Sequence, residues 1–394
     1  MVELRHATAP TRGLGLELEL GSTLRQLDWV LMLALAALVG YGLWAIAGIT
    51  RYDVPGDPHH DLNRQAIATA LGGAAFVIAV LVSPALLQRW WRLLYVGTIG
   101  LMLFVFAVAE TVRGSKRWLT IGPFQFQPSE FGKTLFVIAL AGFLAERSQR
   151  IGSLRTVAAT VGLGALPMLL VFIQPDLGTA LVYGAALFAV LFVAGTRWPH
   201  IAALGVVAVL VAASVLWFLP SAGVQVLSHE QAKRITAFTH PSSDPSGATY
   251  NVTQSITAVG AGGLDGRGVA GASQTRLEYL PEHATDFVFA SFAEQRGFFG
   301  VSVLLLLYLL VVWRGLRVIT VAEDLFSAAV AGGVVFAFLF QVFINVGMTM
   351  GVAPVTGIPL PFVTVGGSSM VANLLAVGVL QSIHARGLVG PRRR

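Results

Sequence analysis

Apolar residues run along this chain in long unbroken blocks, without the one-sided stripes of a soluble helix or the alternation of a half-buried strand. Blocks near 29–49, 66–84, 93–109, 134–145, 156–173, 178–195, 201–219, 287–312, 325–347 and 367–384 approach the roughly 20 apolar residues that a helix needs to cross a bilayer. They predict an all-α polytopic membrane protein of about ten transmembrane helices, the fourth of them short. Placing the N-terminus in the cytoplasm puts Arg25, Arg89, Arg92, Arg147, Arg150, Arg155, Arg197, Arg314, Arg317 and Arg386 on inner connectors. That matches the preference of Lys and Arg for the cytoplasmic side and leaves both termini inside. The outer connectors then receive Asp53, Asp57, Asp61, Glu110, Glu130, Asp176, Glu230, Asp244, Asp265, Glu278, Glu282 and Asp286. Any chemistry faces outward.

Two outer connectors are out of proportion. The one between the seventh and eighth blocks, about 219–285, exceeds the roughly 12–15 residues beyond which a loop is usually functional or disordered. Leu, Val, Ile, Phe and Tyr occur throughout it, and a helix is expected over Tyr250–Val259, ending at GAGG. This is the pattern of a large folded extracytoplasmic loop. The connector RGSKRWLTIGPFQFQPSEFGK, 113–133, is also too amphipathic for a linker. Both are expected to fold back and cap an outward-facing cavity.

Composition sharpens the class. Hydrophobic residues make up 55% of the 394 and charged residues 12%, against about a quarter charged in soluble domains. The net charge of +6 records membrane orientation and does not indicate a nucleic-acid partner. With no cysteine, disulfides, thiolate nucleophiles and cysteine metal sites are excluded. HExxH, Walker and Rossmann patterns are absent, and the histidines lack metal-ligand spacing. Residues 1–23 form a leader, native or added, 24–388 a single membrane domain, and 389–394 a basic tail. The first apolar block lacks a cleavage pattern and is expected to stay as a helix.

The polar motifs each carry two readings. In EHATDF, 282–287, Asp286 heads the eighth span, and Glu282 lies one turn earlier if the helix already runs there. Helix capping is favoured by the dipole and suits Glu282. An ionisable group at the membrane edge is a functional candidate, and a carboxylate such as Asp286 can act as general base on a hydroxyl. In QPSEFGK, Glu130 and Lys133 share one helix face as a structural ion pair or as part of a site. Upstream, Arg113, Lys116 and Arg117 form an outer cationic cluster suited to a diphosphate or to lipid headgroups. Asp176 of QPDLGTA is a turn residue or a cavity wall. GVAPVTGIPLPFVTVGGSSM, 351–370, reads as a re-entrant loop, and Gly366, Gly367, Ser368 and Ser369 could present N–H groups to an anion. In the long loop Arg234, Asp244 and Gln254 each read as structural.

In their order along the chain, these motifs, with YNVTQSITAVGAGGLDGRG and LEYLPEHATDFVFASFAEQRGFFG, resemble the SEDS family of bacterial cell-wall proteins from about Leu24 to Leu388. NVGMTMGVAPVTGIPLPF and TQSITAVGAGGL resemble its RodA branch, of the elongation machinery, more than its FtsW branch. The resemblance implies a peptidoglycan glycosyltransferase polymerising lipid II on the outer face of the bacterial cytoplasmic membrane, with a class B penicillin-binding protein and the cell-elongation machinery as partners. It implies Asp286 as the essential carboxylate, with Glu130 and Lys133 at family positions lining the same cavity and Asp176 as the aspartate of the family's QPD motif. Lys116, Arg117 and Lys133, or a divalent cation such as magnesium or manganese, are candidates for stabilising the diphosphate. No organic cofactor is expected. The competing readings are a lipid II flippase, for which paired repeats and midplane polar residues are expected, and a non-catalytic scaffold for the penicillin-binding protein.

Overall fold

The structure is a computed structural model and describes residues 25–108, 118–121, 124–224, 226–228, 231–234, 238 and 247–388. Its long helices are α1 (Trp29–Ile49), α2 (His60–Leu81), α3 (Trp91–Val108), α4 (Pro128–Ala145), α5 (Leu154–Ile173), α6 (Leu177–Val193), α7 (Trp198–Ser221), α8 (Ala248–Gly262), α9 (Val288–Val321), α10 (Leu325–Thr349) and α11 (Gly367–Gly387). Among the described residues nine helices are long and apolar enough to cross a membrane, and α6, with 17 residues, is a shorter apolar one. All ten apolar blocks are therefore helices. The fourth is not short: α4 has 18 residues, because Pro128 opens it at the first turn, where a missing N–H costs nothing, and carries Glu130 and Lys133 inside the helix.

The helices differ in how much they bury. In α11, 94% of the span is buried, and in α4, 83%; these two form the centre. α11 reaches that position with Ser368, Ser369, Asn373, Gln381, Ser382 and His384 all buried, each hydrogen-bonded. A membrane interior accepts polar groups on those terms. At the opposite extreme only 6% of the α7 span is buried, and this helix widens into a π turn at Ser214–Phe218.

One end of the bundle is basic. There Asp28, which caps α1, takes a two-pronged bond from Arg314 of α9 at 2.6 and 2.8 Å. Gln381 of α11 exchanges two bonds with the Asp28 backbone at 2.9 and 3.0 Å. The other end carries the acidic motifs and both unusual connectors. The 113–133 connector contains a hairpin not foreseen from the sequence, β1 (Leu119–Ile121) paired antiparallel with β2 (Phe124–Phe126). In the long connector, α8 covers the expected Tyr250–Val259 and docks on the bundle, with Ser255 Oγ donating to Thr349 O at 2.7 Å. A satellite core of Ala258, Leu280, Phe287, Ala290, Met348 and Val355 seals it; full burial of Phe287 alone contributes roughly 2 kcal/mol.

The eighth span departs from a simple helix. α9 breaks at Gly297, whose φ of 62° and ψ of −166° suit glycine alone. The two freed N–H groups beyond the break, of Phe298 and Phe299, donate to the carbonyls of Gly263 and Leu264 at 2.9 and 3.2 Å. The GAGGLDG stretch thus plugs the break and satisfies its backbone.

Candidate functional site

The acid-rich end is organised by the segment between α10 and α11. As its prolines and glycines suggest, it enters the bundle without regular structure, which is tolerated at that depth only when protein satisfies the backbone. Asn345 of α10 donates to Ile358 O at 2.8 Å, Thr364 Oγ1 accepts from Leu360 N at 2.8 Å, and Gln65 of α2 donates to Thr364 O at 3.2 Å.

EHATDF packs against this segment. The N-cap of α9 is Phe287, so Asp286 sits just before the helix. Glu282 is not one helical turn earlier: its φ is 53°, it belongs to a tight left-handed turn, and its carboxylate accepts from Thr285 Oγ1 at 2.8 Å. It caps this turn and not the helix. Every carbonyl from Glu282 to Asp286 is bonded. Phe287 N reaches Glu282 O and Val365 N reaches Ala284 O, Ser291 Oγ reaches His283 O, Thr364 Oγ1 reaches Thr285 O, and Asn345 Nδ2 reaches Asp286 O at 3.1 Å. The backbone is thereby fixed, while the Asp286 side chain stays partly accessible.

Arg234 joins it. A Cβ placed on Gly357 would lie 3.2 Å from Arg234 Nη1 and 3.4 Å from Asp286 Oδ2, so guanidinium and carboxylate face the same glycine, whose φ is +71°. The structure thus corrects the reading of Arg234 as one structural residue of a loop. Nothing in the sequence between residues 234 and 286 marks that approach. Asp244 lies outside the described residues.

His283, three residues from Asp286, places Nε2 3.0 Å from both carboxylate oxygens of Asp53 in the α1–α2 connector. Burial disfavours the imidazolium, but the hydrogen bond and charge of Asp53, together with Glu278 and a backbone bond to Leu280, outweigh it, and the pKa is raised above its ordinary 6.5. A raised histidine pKa contributes stability that is complete below about 6.5 and is lost as pH rises through the folded-state value. The expected result is a melting temperature that falls over that window in the wild type and is flat there in His283→Gln, measured at constant ionic strength.

Glu130 and Lys133 form the ion pair their spacing predicts, Nζ to Oε2 2.8 Å, with Gln341 Oε1 also 2.8 Å from Nζ. The carboxylate is 2% and the lysine 7% exposed. Both line a cavity of ≈ 40 Å³ with Thr134, Gln341 and Asn373, large enough for ordered water. Gln341 and Asn345 are one turn apart on α10, about 6 Å along the axis, so one helix face links the pair to the Asp286 turn. Lys133→Met is expected to cost about 3–5 kcal/mol by leaving Glu130 buried without its counter-ion. Glu130→Gln with Lys133→Met is expected to recover most of the melting temperature. Normal activity in that double variant would make the pair purely structural.

Asp176 is 4% exposed. It caps α6 through Thr179 N at 3.0 Å and accepts from Gln127 Nε2 at 3.1 Å, so it acts as both a cap and a member of the buried network. Ser368 contributes its hydroxyl to that network: Oγ accepts from Gln127 N at 3.0 Å and donates to Gln125 O at 2.6 Å. The side chain, not an anion-binding backbone, ties the hairpin to α11. The Gly366 N–H is taken by Gln65 Oε1 at 3.0 Å. Lys116 and Arg117 lie outside the described residues. Among the described residues no group of three His, Asp or Glu could hold a metal ion, and Asp286 has a guanidinium at its side. These residues do not fit a protein-built divalent site.

Fold and site together define a polytopic helical membrane protein with a partly accessible carboxylate on a rigid turn at the acid-rich end of its bundle. The model of one family, FtsW/RodA/SpoVE cell cycle proteins, matches residues 25–387. The chain belongs to that family. It is 37% identical over 361 residues to the peptidoglycan glycosyltransferase MrdB of Escherichia coli K12, covering 91% of this chain and 93% of that protein. Identity to the stage V sporulation protein E of Bacillus subtilis is 35% over 357 residues, 90% and 94% of the two chains. Among solved structures, a chain of a peptidoglycan synthase complex that coordinates polymerization and crosslinking has a TM-score of 0.78 at 30% identity, over 92% of this chain and 98% of that one. The rod shape determining protein RodA of Thermus thermophilus has a TM-score of 0.66 at 28% identity, over 91% and 96%.

Proposed function

We propose that this chain is a peptidoglycan glycosyltransferase that polymerises lipid II at the outer face of the cytoplasmic membrane, with Asp286 as its general base. The observation that carries the reading is the Asp286 carboxylate, fixed by five bonded carbonyls yet partly accessible, with Arg234 facing the same glycine. A donor sugar whose anomeric carbon bears a lipid diphosphate has a good leaving group and needs no carboxylic acid to expel it, unlike the paired carboxylates of glycosidases. One base then suffices. Asp286 takes the proton of the acceptor's GlcNAc 4-hydroxyl as that oxygen bonds to C1 of the donor MurNAc. The C1–O bond breaks with inversion and its electron pair leaves on the diphosphate. Positive charge placed where that negative charge grows lowers the barrier. Arg234 faces the same glycine as Asp286, Lys133 is buried in the bundle, and Lys116 and Arg117 are the other candidate cations. Asp176 and Ser368 hold surrounding backbone, Glu130 and Glu282 hold the Lys133 and Thr285 side chains, and the four act as positioning residues.

The basic end of the bundle faces the cytoplasm on this reading, with both chain termini, and the acid-rich end faces out. A class B penicillin-binding protein and the elongation machinery are the proposed partners, supported by the likeness to the synthase-complex chain and to the rod shape determining protein. The test is a gel assay for glycan polymer with purified protein and lipid II, with and without the partner and with and without divalent cation. Translocation of lipid II without any polymer would reject the proposal.

A further inference from the structure

We infer that Arg296 and Trp44 form a binding site for the phosphate of an anionic phospholipid, at the rim of the bundle nearest Asp286. Arg296 is the last residue before the break in α9, and its guanidinium carbon lies 3.7 Å from the centre of the Trp44 ring on α1. Tyr41 and Phe292 brace that ring, with centroids 5.3 and 6.3 Å away, and the Tyr41 hydroxyl already donates to Gly300 O at 3.1 Å.

The chain supplies no charged acceptor here: the oxygens nearest Arg296 are the neutral Gln295 amide oxygen and the Tyr41 hydroxyl. Among the described residues no carboxylate pairs with Arg296, its Nε is buried without a partner, and the Trp44 indole N–H meets no protein acceptor. Its neighbour Glu294 is committed elsewhere, accepting from Gln274 N, Thr275 N and Thr275 Oγ1 at 2.8–2.9 Å. Stacking on indole strips water from one guanidinium face and leaves the in-plane N–H groups free. Such a fork matches phosphate oxygens two at a time.

The depth is that of a headgroup. Leu264, Phe298 and Phe299 beside the break are 60–63% exposed, and the stretch that bonds to Phe298 N and Phe299 N also carries the exposed charges Asp265 and Arg267. Exposed apolar and charged side chains at one level mark the water–lipid boundary, where tryptophan concentrates. A lipid with net negative charge is favoured over a zwitterionic one, because the latter brings its own ammonium to the same phosphate.

The site depends on the proposed orientation only for the name of the leaflet, and its test reads no glycan, so the two proposals fail separately. Wild-type, Arg296→Gln and Trp44→Phe proteins in phosphatidylcholine nanodiscs are given increasing phosphatidylglycerol, and the lipid retained after release is counted by native mass spectrometry. One phosphatidylglycerol should be held on the order of fivefold more weakly by Arg296→Gln, as expected for one cation near a headgroup. Trp44→Phe, which keeps the ring and loses the N–H, should fall between and provides the reading if Arg296→Gln melts early. Equal retention by wild type and both variants, or equal retention of phosphatidylcholine, overturns the site. So does displacement of the lipid by undecaprenyl diphosphate in the wild type alone, which would assign the cradle to a polyprenyl carrier.

Discussion

Replacing Asp286 by asparagine lowers glycan polymer from lipid II by about 10²–10⁴-fold, the usual contribution of a positioned base, while melting temperature and partner binding stay at wild-type values. The substitution keeps size and polarity, and the turn is held through its backbone carbonyls, side chains of neighbours and the Glu282 carboxylate. A structural carboxylate would behave in the opposite way, with lost stability and retained turnover in whatever stays folded. Wild-type polymer yield from the asparagine variant would remove Asp286 from the reaction.

The second large effect is expected at Arg234. Arg234→Gln should lower kcat by about 10²–10³-fold, the loss typical when one preorganised donor to a developing negative charge is removed. Arg234→Lys, with the charge but not the planar fork, should recover only part. Gly357→Ala provides an independent probe from the other side of the approach. Its methyl would sit 3.2 Å from Arg234 Nη1 and 3.4 Å from Asp286 Oδ2, on a backbone angle that alanine disfavours. Turnover should therefore drop with both flanking side chains intact. Activity unchanged in both Arg234→Gln and Gly357→Ala would show that the juxtaposition has no catalytic consequence.

The apolar blocks were legible because a lipid-facing helix is apolar on nearly every position, so length alone identifies it. The ends were less legible. The short fourth block was a reading error with a physical cause: Ser129, Glu130 and Lys133 look extramembrane in sequence, yet they are buried because the pair and Gln341 satisfy one another. Asp286 could be singled out because an ionisable group at the head of a span is rare. Arg234 could not, since its place depends on how a long connector folds back, and one arginine among turn-forming residues carries no periodic signal. The hairpin at 119–126 was hidden because two three-residue strands are too short for alternation to register. Glu282 was drawn into the helix by spacing, whereas the positive φ at that position leaves no sequence mark in a non-glycine residue.

The most buried span, α11, is synthesised after every other described helix, and it is also among the least apolar of them. The ribosome therefore delivers the keystone last, into a vestibule of nine earlier spans beside which polar groups await partners: Gln65, Gln127 and Asp28 at the head of α1. Until then those spans form an unclosed arch, recognisable to membrane quality control. A nonsense codon anywhere before Gly367 should accordingly yield degraded protein and not a shortened, partly working one.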